Sequence, residues 1–113
     1  MTRKLLAVAA MIMMVLVVSA PVVAQSTRTL QGQVVKSGDA PLPGAVVYLK
    51  NTKTLSIRTF VSDDKGNYRF ASLSPNVDYE VYAEYKGAKS DTKTLSAFDS
   101  RTTATINLKV NAG

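Results

Sequence analysis

The chain has 113 residues, 14 Lys and Arg against 8 Asp and Glu, a net charge of +6, and no His, Cys or Trp. That length holds one domain. Without His or Cys there is no His-based triad, cysteine nucleophile, disulfide or His/Cys zinc site; only paired carboxylates or a Lys or Ser/Thr nucleophile remain for catalysis.

Residues 1–24 read as a cleaved signal peptide. Arg3 and Lys4 form a basic start, and Leu5 to Val18 is an unbroken apolar run. Ser19, Ala20 and Pro21 then break the helix, and Val22-Val23-Ala24 puts small residues at −3 and −1 of a cleavage site before Gln25. Uncleaved, Leu5 to Ala24 is long enough to cross a bilayer. Pro21 and the small residues favour cleavage, so no membrane contact is expected afterwards. Removing 24 of 113 residues leaves 89, residues 25–113, with net charge +4. A small disulfide-free domain of this kind fits a bacterial periplasmic or secreted protein.

The remaining chain shows no sustained helical period. Short alternating runs are separated by turn formers, which predicts strands. Residues 29–35 form the first, with Leu30 and Val34 on one face. Residues 36–41 are a turn-rich loop. Residues 45–50 form the second, with Ala45, Val47 and Leu49 on one face and Val46, Tyr48 and Lys50 on the other. Residues 55–61 form the third, aligning Leu55, Ile57, Thr59 and Val61. Residues 62–67 are a hairpin turn in which Gly66 takes a positive φ. Residues 68–71 form the fourth strand. Residues 78–86 form the fifth and alternate most clearly: Tyr79, Val81, Ala83 and Tyr85 against Glu80, Tyr82, Glu84 and Lys86. Residues 91–96 form a polar sixth strand at a sheet edge. Residues 101–110 form the last, with Ala104, Ile106 and Leu108 inward. Seven strands with turns every 8–12 residues predict an all-β, Greek-key sandwich of two sheets.

Three ordered blocks carry a family resemblance. Gly32-Gln33-Val34-Val35, Gly38 and Pro41-Leu42-Pro43-Gly44-Ala45-Val46-Val47 form the first. Asp63-Asp64-Lys65-Gly66-Asn67-Tyr68-Arg69-Phe70 is the second. Leu73-Ser74-Pro75 followed by Tyr79-Glu80-Val81-Tyr82-Ala83 is the third. Together they resemble the carboxypeptidase regulatory-like domains, which are transthyretin-like or prealbumin-like sandwiches. In this reading Leu42 seals the core, Tyr68 and Phe70 anchor it, and Tyr79 returns its hydroxyl to the preceding turn. Residues 75–79 depart from the usual Pro-Gly-x-Tyr pattern; Asn76 replaces Gly and is expected to take the left-handed conformation. The resemblance implies a non-catalytic accessory role. Transthyretin-like hydrolases need histidines, which this chain lacks.

The candidate sites are few. Asp63, Asp64 and Asn67 offer oxygens to a cation but lack the ligand count of a calcium loop, so no metal or cofactor is expected. Lys36 and Asn107 would need a buried carboxyl to form an isopeptide, and Glu84 points away from the core. Glu80 and Glu84 lie about 13 Å apart along one strand, too far for glycoside hydrolysis. No catalytic residue emerges. Basic residues are interspersed with acidic ones, which argues against nucleic acid. Tyr48, Phe60 and Tyr82 are predicted to lie on the faces opposite their strands' apolar rows, as an aromatic patch. The expectation is an exported module that binds an extracytoplasmic protein or plays a structural part in the cell envelope. The expected contact surfaces are residues 91–96 and the loops 36–43 and 62–67. A carbohydrate-binding module using Tyr48, Phe60 and Tyr82 on a glycan is the alternative.

Overall fold

The computed structural model describes residues 27–111, which form two packed β-sheets with no helix among them. The predicted signal peptide lies outside the described residues. Nine strands occur in order: β1 (Arg28–Lys36), β2 (Val46–Asn51), β3 (Ile57–Val61), β4 (Asn67–Leu73), β5 (Tyr79–Tyr85), β6 (Ala88–Lys89), β7 (Lys93–Leu95), β8 (Thr103–Thr105) and β9 (Leu108–Val110). One sheet runs β4-β1-β8, with β9 also on β1. The other runs β3-β2-β5-β6, with β7 also on β5.

The core follows the alternation. Leu30 and Val34 from β1, Val47 and Leu49 from β2, and Val81 and Ala83 from β5 are buried between the sheets. Tyr68, Phe70 and Leu73 fill the space from β4, and Leu42 closes one end. Gly66 has φ +77°, and a Cβ there would stand 2.5 Å from the Val34 carbonyl oxygen, so glycine is required twice over.

Two strand predictions need correction. The segment 101–110 is two strands, β8 and β9, and both run parallel to β1. The ladder breaks at Ile106 and Asn107 for a visible reason. The Ile106 carbonyl accepts the buried Tyr68 hydroxyl, and the Asn107 side chain takes over the Gln33 N–H at 3.0 Å. Only glycine at position 32 permits this, because a Cβ there would lie 1.8 Å from the Ile106 oxygen. The segment 91–96 becomes β7, with β6 added ahead of it; both pair with β5.

The turn after β4 also differs from expectation. Asn76 is not left-handed; Ser72, φ 60°, is. Ser72 sits in a bulge of β4, where Arg28 faces Leu73 but Leu30 faces Phe70. The Tyr79 hydroxyl does reach that turn and accepts the Ser74 N–H at 2.9 Å.

Arg28, outside the predicted first strand, is 4% exposed. Its guanidinium donates to the carbonyls of Ser74, Val77 and Ser96 and lies over the Tyr79 ring, 5.9 Å from its centroid. One side chain therefore ties β1 of the first sheet to the loops that begin and end β5 and β7 of the second. Arg28→Met should cost about 3 kcal/mol in urea unfolding, since three carbonyls lose their donor. An unchanged urea midpoint would show that water replaces the guanidinium.

Burial raises the Tyr68 pKa above its ordinary value. The folded state thus holds this proton more tightly than the unfolded chain does. The resulting stability is complete below the unfolded phenol pKa of about 10 and is lost as pH rises beyond it. Tyr68→Phe should cost about 1 kcal/mol at neutral pH, through the lost hydrogen bond, yet flatten this alkaline loss. Urea midpoints at neutral pH and at about pH 11 check both effects.

Candidate functional site

The side chains left outside the core concentrate around β3. The hairpin β2–β3 pairs Val46 with Val61, Val47 with Phe60, Tyr48 with Thr59, Leu49 with Arg58 and Lys50 with Ile57. Directly paired residues share a face of the sheet. Val47 and Leu49 face the core, so Phe60 and Arg58 do too. Val46, Tyr48 and Lys50 face outward, and so do Val61, Thr59 and Ile57.

This reverses the predicted phase of β3. The row Leu55, Ile57, Thr59, Val61 is not a core row. Leu55, Ile57 and Val61 are 62%, 58% and 60% exposed. The inward row is Arg58, Phe60 and Ser62. Phe60 meets the edge of Phe70 with centroids 6.1 Å apart, and Arg58 lies over Phe70 and donates to the Ala71 carbonyl at 3.0 Å. The Ser62 hydroxyl donates to Leu42 O and accepts the Ala45 N–H. A polar residue with a specific backbone partner thus occupies a core-facing position, and a hydrophobicity pattern does not register such partners.

The predicted aromatic trio is divided accordingly. Tyr48 and Tyr82 are neighbours on the outer face, stacked at 4.9 Å and 15°. Phe60 is on the opposite face of the sheet. Lys89 of β6 places its ammonium over the Tyr82 ring, 5.5 Å from the centroid. The strand order β2-β5-β6 puts Tyr48 and Lys89 on opposite sides of Tyr82. Both faces of that ring are therefore covered, and no flat platform for a sugar is assembled from the three residues.

The edges of the outer sheet differ. On the β5 side the edge is made of β6 and β7, two and three residues long, carrying Lys89 and Lys93. Short strands and lysines are the usual protection of a sheet edge. On the other side β3 presents five residues and pairs only with β2. Its bonding phase is set at both ends of the hairpin, where Asn51 N–H donates to Ser56 O and Ser62 N–H donates to Ala45 O. Even-numbered residues therefore bond to β2, and the N–H and C=O groups of Ile57, Thr59 and Val61 point to the open side. Among the described residues no further backbone bond engages these three.

Loops at one end of the sandwich are stitched together beside this edge. Asp78 O accepts from the N–H and hydroxyl of Thr52, and an Asp78 carboxylate oxygen accepts the Ala97 N–H. The Asn51 side chain holds the β2–β3 turn by accepting from Lys53 and Thr54 N–H, which leaves Leu55 at φ 65°. A bulky left-handed residue stores strain. The next loop carries Phe98, 96% exposed, ahead of an Asp99–Arg101 ion pair at 2.6 Å. Hydrogen bonds from the Arg101 side chain and backbone hold the Asp99 carboxyl at about 2. A lone aromatic in a loop has no periodicity, so Phe98 carried no signal in the pattern.

The other predicted sites are structural in this arrangement. The Asp63 carboxylate accepts the N–H groups of Lys65 and Asn67, which makes it the organiser of its own turn. Asn107 is engaged by Gln33. Glu80 lies opposite Lys50, and Glu84 opposite Lys89, on the outer face. A groove of about 470 Å³ runs beside Gln31, Gln33, Phe60, Asn67, Arg69 and Asn107. Gln33 and Asn107 there are already bonded to backbone groups, Lys65 O and Gln33 N–H respectively.

Comparisons with known proteins agree with this architecture. No functionally curated protein matches the chain. Among solved structures, the major pilin subunit BcpA of Bacillus cereus superposes with a TM-score of 0.60 at 17% identity, covering 77% of this chain and 30% of the pilin. Catechol 1,2-dioxygenase from Acinetobacter sp. ADP1 gives 0.60 at 13% identity, covering 82% of this chain and 55% of the enzyme. The dioxygenase domain of a dioxygenase–carbohydrate-binding protein fusion from Streptomyces sp. SirexAA-E gives 0.58 at 13% identity, covering 84% and 86%. At such identities the likeness is one of fold alone, and the chain spans less than two thirds of the pilin and the Acinetobacter enzyme. The sequence pattern of the carboxypeptidase regulatory-like domain, by contrast, matches residues 29–111, the whole of the described sandwich, and the chain belongs to that family.

Proposed function

We propose that this chain is an exported, non-catalytic contact module that binds another protein by adding a strand to β3. The observation that carries this reading is the open β3 edge, with Ile57, Thr59 and Val61 offering unpaired backbone groups and Ile57 and Val61 offering exposed apolar side chains. Strand addition uses such an edge: main-chain bonds supply affinity and alternate side chains supply selectivity. The absence of His and Cys from the sequence removes the common acid–base and nucleophilic groups, which supports a role in binding. Export rests on the basic start, apolar run and small-residue cleavage pattern of residues 1–24.

The open edge adds residues 55–61 to the expected contact surfaces, residues 91–96 and the loops 36–43 and 62–67, and favours them over the strand at 93–95. The strand at 93–95 is protected by its length and by Lys93, whereas β3 is longer and carries a single charge, the inward-facing Arg58. The glycan alternative has lost its shared aromatic platform.

A photo-crosslinking residue at position 57 or 61 should give protein adducts in intact cells of the native host, whereas one at position 69 on the other sheet should give none. Equal yields at all three positions, or none, would overturn the assignment. N-terminal sequencing of the same material should begin at Gln25. Leu55→Asn should raise stability by about 1 kcal/mol, because asparagine tolerates the left-handed conformation. If Leu55 takes part in contact, that variant should also lower the adduct yield from position 57. A gain in stability with undiminished yield would confine Leu55 to the turn.

A further inference from the structure

The five residues of β3 read Ile57-Arg58-Thr59-Phe60-Val61. Laid antiparallel against a copy of itself and centred on Thr59, this strand sets Ile57 opposite Val61 of the copy, Arg58 opposite Phe60, and Thr59 opposite Thr59. Every one of these pairs is favourable: apolar with apolar, guanidinium beside an aromatic ring, hydroxyl beside hydroxyl. The neighbouring in-phase registers are worse. A shift one way sets Arg58 directly against Arg58, and a shift the other way pairs Phe60 with Phe60 but leaves Ile57 facing Asp63 and Val61 facing Thr59.

The backbone phase agrees with the side chains. Ile57, Thr59 and Val61 are the residues whose N–H and C=O groups point away from β2. The Thr59-centred register pairs these residues with one another, so each pair exchanges N–H···O bonds in both directions. On the outer face, Tyr82, Tyr48 and Thr59 already lie in one row, and the twofold axis continues that row into its own image. The apolar residues Ile57 and Val61 become cross-strand neighbours and lose part of their exposure.

We propose that the occupant of the β3 edge is a second copy of this chain, forming a twofold dimer with one sheet continuous across both sandwiches. This rests on the reading of the module as a strand-addition contact and names its partner. The pairing is isologous, so it uses the same edge on both copies and closes. The opposite edge, with β6, β7 and their lysines, does not propagate it. The strand is about 17 Å long, so the interface is small and the affinity modest.

Sedimentation equilibrium of the naturally processed protein tests this. The expected result is a reversible dimer with a dissociation constant of about 10–100 μM, as suits so small an interface. Thr59→Pro removes only an outward N–H and should give a folded monomer. Thr59→Lys and Thr59→Glu should each be monomeric alone and form a dimer when mixed. Circular dichroism melts establish that each variant is folded. A wild-type chain still monomeric at about 500 μM would overturn the proposal. So would a dimer unaffected by all three substitutions, since the interface would then lie elsewhere. A monomer with a Thr59 amide protected from hydrogen exchange would place another segment of this chain on the edge, which also overturns it. Cross-links from position 57 to other proteins, with a monomeric purified chain, would remove self-pairing yet leave the contact module standing.

Discussion

Everything in this sandwich hangs on how its two sheets are held at one end, and a buried arginine does it. Arg28 belongs to the first sheet, and its three carbonyl acceptors belong to the two loops that cross between the sheets, residues 74–78 from β4 to β5 and residues 96–102 from β7 to β8. A chain without cysteine has no disulfide to close that end. A planar guanidinium with five donors reaches several carbonyls at once, which a lysine ammonium does less well. Those same loops hold Asp78, and Asp78 holds Thr52 and Ala97. The turn that launches β3 is therefore fixed by a network that begins at Arg28.

The fold was legible wherever burial alone set the pattern. β5 alternates because one face is sealed against the core and the other is exposed, and its residues were assigned to the right faces. Tyr68, Phe70, Leu42 and the Tyr79 hydroxyl took the places their motif implies. What was not legible depended on partners far away in sequence. The break between β8 and β9 exists because the Ile106 carbonyl finds the Tyr68 hydroxyl above Gly32. Arg28 reads as a surface residue until its carbonyls are known.

The third strand misled for a more instructive reason. Its odd positions are apolar and its even positions include Arg58 and Ser62, so periodicity puts the odd row inside. Yet Arg58 and Ser62 each have a backbone acceptor on the core side, and Phe60 fills the space between them against Phe70. Burying Ser62 with both of its partners satisfied carries little penalty, and Arg58 bonds Ala71 O while remaining exposed to solvent, so the strand keeps that phase. Its apolar row is then left outside. The mismatch between pattern and burial falls at the longer open edge of this sheet, which is where function and local pattern are expected to disagree.

Hairpin register and edge chemistry are one constraint here. Ala45–Ser62 and Asn51–Ser56 lock the β2–β3 pairing from both ends. A slip of one residue would turn Phe60 away from Phe70 and reopen the core. It would also rotate the backbone groups of Arg58 and Phe60 to the open side in place of those of Ile57, Thr59 and Val61. The hydroxyl of Ser62, buried between Leu42 and Ala45, thus stabilises the core and sets which groups the edge displays. A substitution that loosened this lock would degrade the fold and the contact surface together. Changes confined to the outward row, at Ile57, Thr59 or Val61, separate the two, because those side chains support neither the core nor the ladder to β2.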